Sequence, residues 1–242
     1  MFLREWSNKQ TTLVDLSTIL SREARIVTIF SQIISSQQIV APNSFPSVAE
    51  DVLLSLWVLA GESNDPVKIL INSPGGDVMA GFTIIQAMNH LKAKGIEVWT
   101  VDLCQCMSMG GIILMMGTKG KRYALENTLV HTHFGGRQIS GKTESDVDEA
   151  YQHTEKVNKT IYRLISENST IPEFYVKKRD ELADYDKRKL TDPNERVKLV
   201  KNFLNHDTFM DPEEAKEAGI IDKVLSPGDP IIDQIYSAQR GK

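Results

Sequence analysis

The chain has 242 residues and a formal net charge of −4, from 32 Asp and Glu against 28 Lys and Arg. That length can bury a sizeable core as a single domain. The interleaved charges leave no basic stripe, which argues against nucleic acid or an anionic membrane as a partner. No apolar run reaches membrane-spanning length free of charge, and the first residues lack the basic flank and apolar core of a signal peptide. Cys104 and Cys106 are the only cysteines. Two apart on a strand they would point the same way, too far along it for ordinary bridging, so a reducing compartment and a cytoplasmic location are expected.

Residues 1–14 are polar with scattered apolar side chains and are expected to be mobile, as chain ends usually are unless docked. The rest, 15–242, reads as one domain. Arg25-Ile26-Val27-Thr28-Ile29-Phe30 suits a strand, and Val48 to Leu59 carries apolar residues at helical spacing. The unit repeats: a strand at Val67 to Asn72, a turn at Pro74-Gly75-Gly76 and a helix at Ala80 to Leu91. It recurs as a strand at Glu97 to Leu103, a turn at Ser108 and a buried helix at Gly111 to Met116. Such repetition predicts a layered α/β fold with right-handed crossovers.

Tyr123 to Leu125 and Thr128 to His133 again read as strands. Thr143-Glu144-Ser145-Asp146 is a capping-box signature. Behind it, Val147, Tyr151, Thr154, Val157, Ile161 and Leu164 lie on one face of a helix of about six or seven turns. A helix that long should project or pack between subunits. Residues 177–201 are dense in charge of both signs and read as a solvated helical insertion.

Ser108, in Cys106-Met107-Ser108-Met109-Gly110-Gly111, stands where a strand turns into a helix, which presents a hydroxyl beside free backbone N–H groups. Ser73-Pro74-Gly75-Gly76 offers a second set of such N–H groups. It lacks the ending of a P-loop and the spacing of a dinucleotide fingerprint, so an oxyanion or peptide-carbonyl site suits it better. A serine nucleophile needs a base, and histidine is the usual one. His90, His153 and His206 read as surface residues, whereas His131 and His133 share one strand face, so periodicity leaves both open. For the acid that orients the base, Asp207 is a candidate; Asp211, before Pro212, is accounted for as a helix N-cap.

With these residues in place, the chain from about Asp15 to Leu225 resembles the proteolytic subunit of the Clp protease, a family of serine peptidases. The pieces that carry the resemblance are Ile71-Asn72-Ser73-Pro74-Gly75-Gly76, Ser108-Met109-Gly110, Gly117-Thr118-Lys119-Gly120-Lys121-Arg122, Phe209-Met210 with Glu214-Ala215, and Gly219-Ile220-Ile221-Asp222. The resemblance implies an α/β, crotonase-like fold of repeated β-β-α units with a protruding handle, about 134–168, followed by the charged insertion at about 177–201. It implies Ser108 as nucleophile, His133 as base in place of His131, Asp207 as acid, and the N–H groups of Gly76 and Met109 as oxyanion hole.

It further implies an ATP-dependent serine endopeptidase that cuts unfolded polypeptides inside a chamber of paired seven-membered rings, a homo-tetradecamer. A Clp-type unfoldase would supply them, using ATP at its own sites, and this chain would bind no cofactor and no metal. The chain departs from the family pattern in three places: Phe134-Gly135 follows His133, bulky Cys106-Met107 precedes Ser108 and narrows the expected site, and the charged insertion precedes Asp207. Those departures motivate an alternative, a catalytically impaired structural or regulatory ring subunit. An acyl-CoA enzyme of the crotonase superfamily is a second alternative, which would not require the Ser, His and Asp set.

Overall fold

The repeated strand and helix units close onto one sheet, and the strands run buried on both faces. A computed structural model describes residues 2–7, 10–15, 22–38, 46–133, 144–179, 182–205 and 207–237. Strands β1 (Phe2–Ser7) and β2 (Gln10–Asp15) pair with each other antiparallel. Then come β3 (Ile26–Ile29), β4 (Ile33–Ile34), β5 (Ser47–Val48), α1 (Ala49–Glu62), β6 (Val67–Ser73), α2 (Val78–Ala93), β7 (Val98–Met107) and α3 (Met109–Met115). The chain continues through β8 (Arg122–Leu125), β9 (Leu129–Thr132), α4 (Glu144–Asn168), α5 (Ile171–Lys178) and α6 (Pro193–Leu204). It ends with β10 (Thr208–Met210), α7 (Pro212–Glu217), β11 (Lys223–Leu225) and α8 (Pro230–Tyr236).

The main sheet has the order β10-β9-β7-β6-β3, with β8 also on β7 and β11 on β8. All its pairs are parallel except β9 with β10. On β6, Val67, Ile69 and Ile71 face a core shared with α1, α2 and α3, while Leu70 faces a smaller core with Trp99, Val101, Tyr123 and Ile235. This two-sided burial explains why the sequence shows continuous apolar runs instead of alternation. Three Asp-Pro pairs start helices as their chemistry predicts. Asp192, Asp211 and Asp229 accept from Asn194, Glu214 and Ile231 N–H, each with proline at the start of the helix.

Strand β7 does not keep one register. Ile71 pairs with Asp102, but Ser73 pairs with Cys106, so two residues of β6 span the length of four on β7. Across this irregular stretch Cys104 is exposed and Cys106 buried, and both are free. The strand continues as far as Met107, directly into Ser108.

The long helix forms at Glu144–Asn168, as its apolar stripe predicts; its expected cap, Thr143, lies outside the described residues, as do Phe134, Gly135 and His206. The charged stretch at 177–201 is not wholly solvated. Helix α6 buries Leu199, Val200, Phe203 and Leu204, and Arg196 donates to the carbonyls of Ser166 and Ser169 at the end of α4 and pairs with Glu173. Charge density concealed an amphipathic helix whose polar face holds the end of α4. Among the described residues no helix is long and apolar enough to cross a membrane.

Candidate active site

Ser108 sits between β7 and α3 at φ 51° and ψ −120°, a backbone state that a residue with a side chain adopts only under strain. Its N–H donates to the His131 carbonyl over 2.8 Å, which ties the turn to β9. The glycine turn packs directly behind it. A Cβ on Gly75 (φ +91°) would stand 2.6 Å from the Met107 carbonyl oxygen and 2.8 Å from the Ser108 Cβ. A Cβ on Gly76 would stand 2.1 Å from the carbonyl oxygen of Ile33. Only glycine fits either place, so the motif is a close backbone approach as well as a turn. Ser73 fixes its start, its hydroxyl donating to Ser31 and accepting from Gly75 N–H.

Gly76, Ser108, Met109, Thr132 and His133 line one pocket of about 290 Å³. Neither the Gly76 nor the Met109 N–H has an acceptor among the described residues, so both remain available to a ligand oxygen. The opposite wall comes from α4, with Val157, Ile161 and Ile165, together with Ile112 of α3 and Leu204 of α6. These wall residues were not anticipated as part of the site, although the α4 stripe was visible in the sequence. Periodicity shows that a face is apolar but not what it covers. Met107, expected to narrow the site, does not line the pocket; it pairs across β7 and β9 with His131.

β9 ends at Thr132, so His133 is the first residue past the strand. Both histidines flank Asp207: its Oδ1 lies 3.4 Å from His131 Nε2 and 3.7 Å from His133 Nδ1. The Asp207 side chain is 70% exposed, that of His133 32% and that of His131 12%. Burial, then the adjacent His133, lower the His131 pKa, and Asp207 opposes them. No hydrogen bond joins the Ser108 hydroxyl to His133 among the described residues. Such contacts are commonly long in unliganded enzymes and tighten around substrate. His90 and His153 are exposed, His90 against the edge of Trp57, and neither reaches the pocket. Asp211 caps α7 as expected.

The parts therefore offer a strained serine, two unengaged N–H groups beside it, an imidazole in the same pocket and a carboxylate behind that imidazole. Among the described residues no group of three or more His, Cys, Asp or Glu side chains could hold a metal ion. A family model described as Clp protease matches residues 21–228 of this chain.

Proposed function

This chain belongs to the Clp protease family of peptidases, and we propose that it is a serine endopeptidase with Ser108 as nucleophile, His133 as base and Asp207 as acid. Its parallel sheet and flanking helices are consistent with the crotonase-like fold of that family. The reading is carried by one observation: the strained Ser108 turn and His133 line a single pocket, with the Gly76 and Met109 N–H groups free beside them.

In this reading the Ser108 hydroxyl attacks the scissile carbonyl carbon while His133 takes its proton. The carbonyl oxygen becomes an oxyanion held by Gly76 and Met109 N–H, as donors aimed at developing charge stabilise a transition state. Collapse of the tetrahedral intermediate breaks the C–N bond, and His133 passes the proton to the leaving amine. Water then attacks the acyl carbon as His133 takes its proton, and His133 returns that proton to Ser108 Oγ as the acyl C–O bond breaks. Asp207 keeps the proton of neutral His133 on Nδ1, leaving Nε2 free to accept.

Members of the family form oligomeric rings. For this chain we propose homomeric seven-membered rings paired into a tetradecamer in the cytoplasm, fed with unfolded polypeptide by an ATP-driven unfoldase. No cofactor is required by these steps. One observation favours a second reading, a ring subunit with impaired catalysis: Asp207 is largely exposed and 3.7 Å from His133. A serine-directed fluorophosphonate separates the two. Labelling of the wild-type ring that is lost in Ser108→Ala supports the peptidase, and a folded ring that takes no label supports the impaired subunit.

A further inference from the structure

His131 lies in the middle of a stack. Its ring centroid is 4.0 Å from that of Phe209 and 4.9 Å from that of His133, with interplanar angles of 12° and 14°. The ladder explains half of this, because His131 and Phe209 are paired across β9 and β10. Strand alternation explains the other half, bringing His133 back to the face of His131. Asp207, immediately before β10, then reaches both imidazoles through one oxygen. The nearer contact is to His131.

The two rings differ in what they need. His131 Nε2 is buried and makes no hydrogen bond, the 3.4 Å approach to Asp207 lacking the alignment for one. A buried ring N–H without an acceptor is costly, whereas His133 is open enough to be solvated. A small shift of the carboxylate satisfies His131, and among the described residues these two histidines are the only cations or potential cations in contact with Asp207.

We propose that His131 is a positioning residue of the relay, anchoring the exposed Asp207 carboxylate and the His133 ring together so that Asp207 serves both imidazoles. This rests on the assignment of Ser108, His133 and Asp207 above. His131 does not line the pocket and acts only through its two neighbours. The titratable groups facing it are His133, from the end of its own strand, and Asp207, from the approach to β10; its β7 partner Met107 is uncharged. Burial and His133 favour the neutral ring at neutral pH, in which an Nε2–H is the donor that a small shift of the Asp207 carboxylate would satisfy. Protonated in acid, it sets a second cation against the imidazolium that His133 becomes during attack. The rate then falls with two protons instead of one.

The test is the rate of fluorophosphonate labelling of the full chain from about pH 5 to 8, in wild type, His131→Phe and His131→Gln. Phenylalanine keeps the stack and removes the donor; glutamine restores a donor. We expect labelling of His131→Phe to be about 10-fold slower at neutral pH, with its acid limb reduced from a two-proton to a one-proton dependence. His131→Gln should regain part of the rate and keep the one-proton limb. A His131→Phe chain with the wild-type rate and acid limb overturns the proposal, and so does a faster one, which would mean that His131 withholds Asp207.

A second measurement does not depend on the phenylalanine variant folding. In Ser108→Ala, histidine NMR should show Asp207→Asn lowering the titration midpoint of His131, and an unmoved midpoint overturns the anchor. If wild type takes no label at Ser108, the nucleophile assignment fails instead, and the NMR measurement still decides whether His131 holds Asp207.

Discussion

The N–H of Ser108 donates to the carbonyl of His131 over 2.8 Å. Through that bond the turn that carries the proposed nucleophile is fixed to the strand that carries His131 and leads into His133. The glycine turn presses on it from the other side, so the placement of Ser108 depends on a missing side chain at Gly75.

Gly75→Ala therefore tests the packing of the site. Its Cβ would meet backbone at 2.6 Å and the Ser108 Cβ at 2.8 Å, at a φ of +91° that alanine tolerates poorly. We expect a loss of about 1–3 kcal/mol of stability and labelling slowed by at least about 10-fold through displacement of Ser108 and its N–H neighbours. Thermal unfolding and the labelling rate measure the two. An alanine variant that labels as fast as wild type would show that the close approach has no bearing on chemistry.

Asp102 gives a prediction about pH and stability. It is fully buried at the start of the β7 bulge, one oxygen bonded to Cys104 N–H and the other unpartnered. Burial raises its pKa to about 7, against the polar neighbours Cys106, Cys104 and Thr128, which pull it down. A carboxyl whose pKa is raised by folding stabilises the fold below its unfolded pKa, and that stability is lost as pH rises from about 4 to about 7. Asp102→Asn, neutral throughout, should gain on wild type across that window by up to about 4 kcal/mol and hold its lead above it. Denaturant midpoints at several pH values check this; a difference independent of pH would contradict it.

Arg122 and Asp222 make the opposite case. The buried guanidinium bonds both oxygens of Asp222 through Nε and Nη2, and its Nη1 donates to the Asn168 and Gly219 carbonyls. Burial alone would raise the Asp222 pKa, but the bonds from Arg122 and from Gly120 N–H outweigh it, so the net shift is downward. Stability from this carboxylate is present above its unfolded pKa and is lost as pH falls toward the depressed one. Asp222→Asn should cost about 3–5 kcal/mol at neutral pH by leaving the buried cation unpaired. The deficit should shrink in acid, as unfolding at neutral and acidic pH will show.

The pocket walls predict specificity. Ile112, Val157, Ile161, Ile165 and Leu204 offer apolar surface beside Ser108 and His133, and the Thr154 hydroxyl is spent on the Ala150 carbonyl. Peptides with leucine before the scissile bond should be cut about 10–100-fold more efficiently than those with aspartate. Ile161→Asp should erode that preference. Comparison of kcat/KM for the two peptides is the measurement, and equal values would place the substrate side chain elsewhere.

Much of this was legible in the sequence where a residue acts through its own neighbours. Asp211-Pro212 marked a helix start, the α4 stripe gave a long helix, and Gly75-Gly76 marked a tight turn. Relationships across the chain were hidden. Gly117 to Arg122 and Gly219 to Asp222 are separate stretches in the sequence, yet they meet as one buried ion pair. The β7 bulge left no local mark, and neither did the differing exposure of Cys104 and Cys106. Alternation could not separate His131 from His133 because both do face Asp207. The buried side of α6 was masked by the charges on its other side.

The most direct measurement is where a fluorophosphonate adduct forms on the assembled wild-type chain. Trypsin should release residues 95–119, which contain Ser108, and mass spectrometry can localise the adduct. The account predicts one adduct per chain, on Ser108, absent from Ser108→Ala and strongly slowed in His133→Ala. A folded, assembled wild-type ring that takes no adduct, or an adduct that persists in Ser108→Ala, would contradict it.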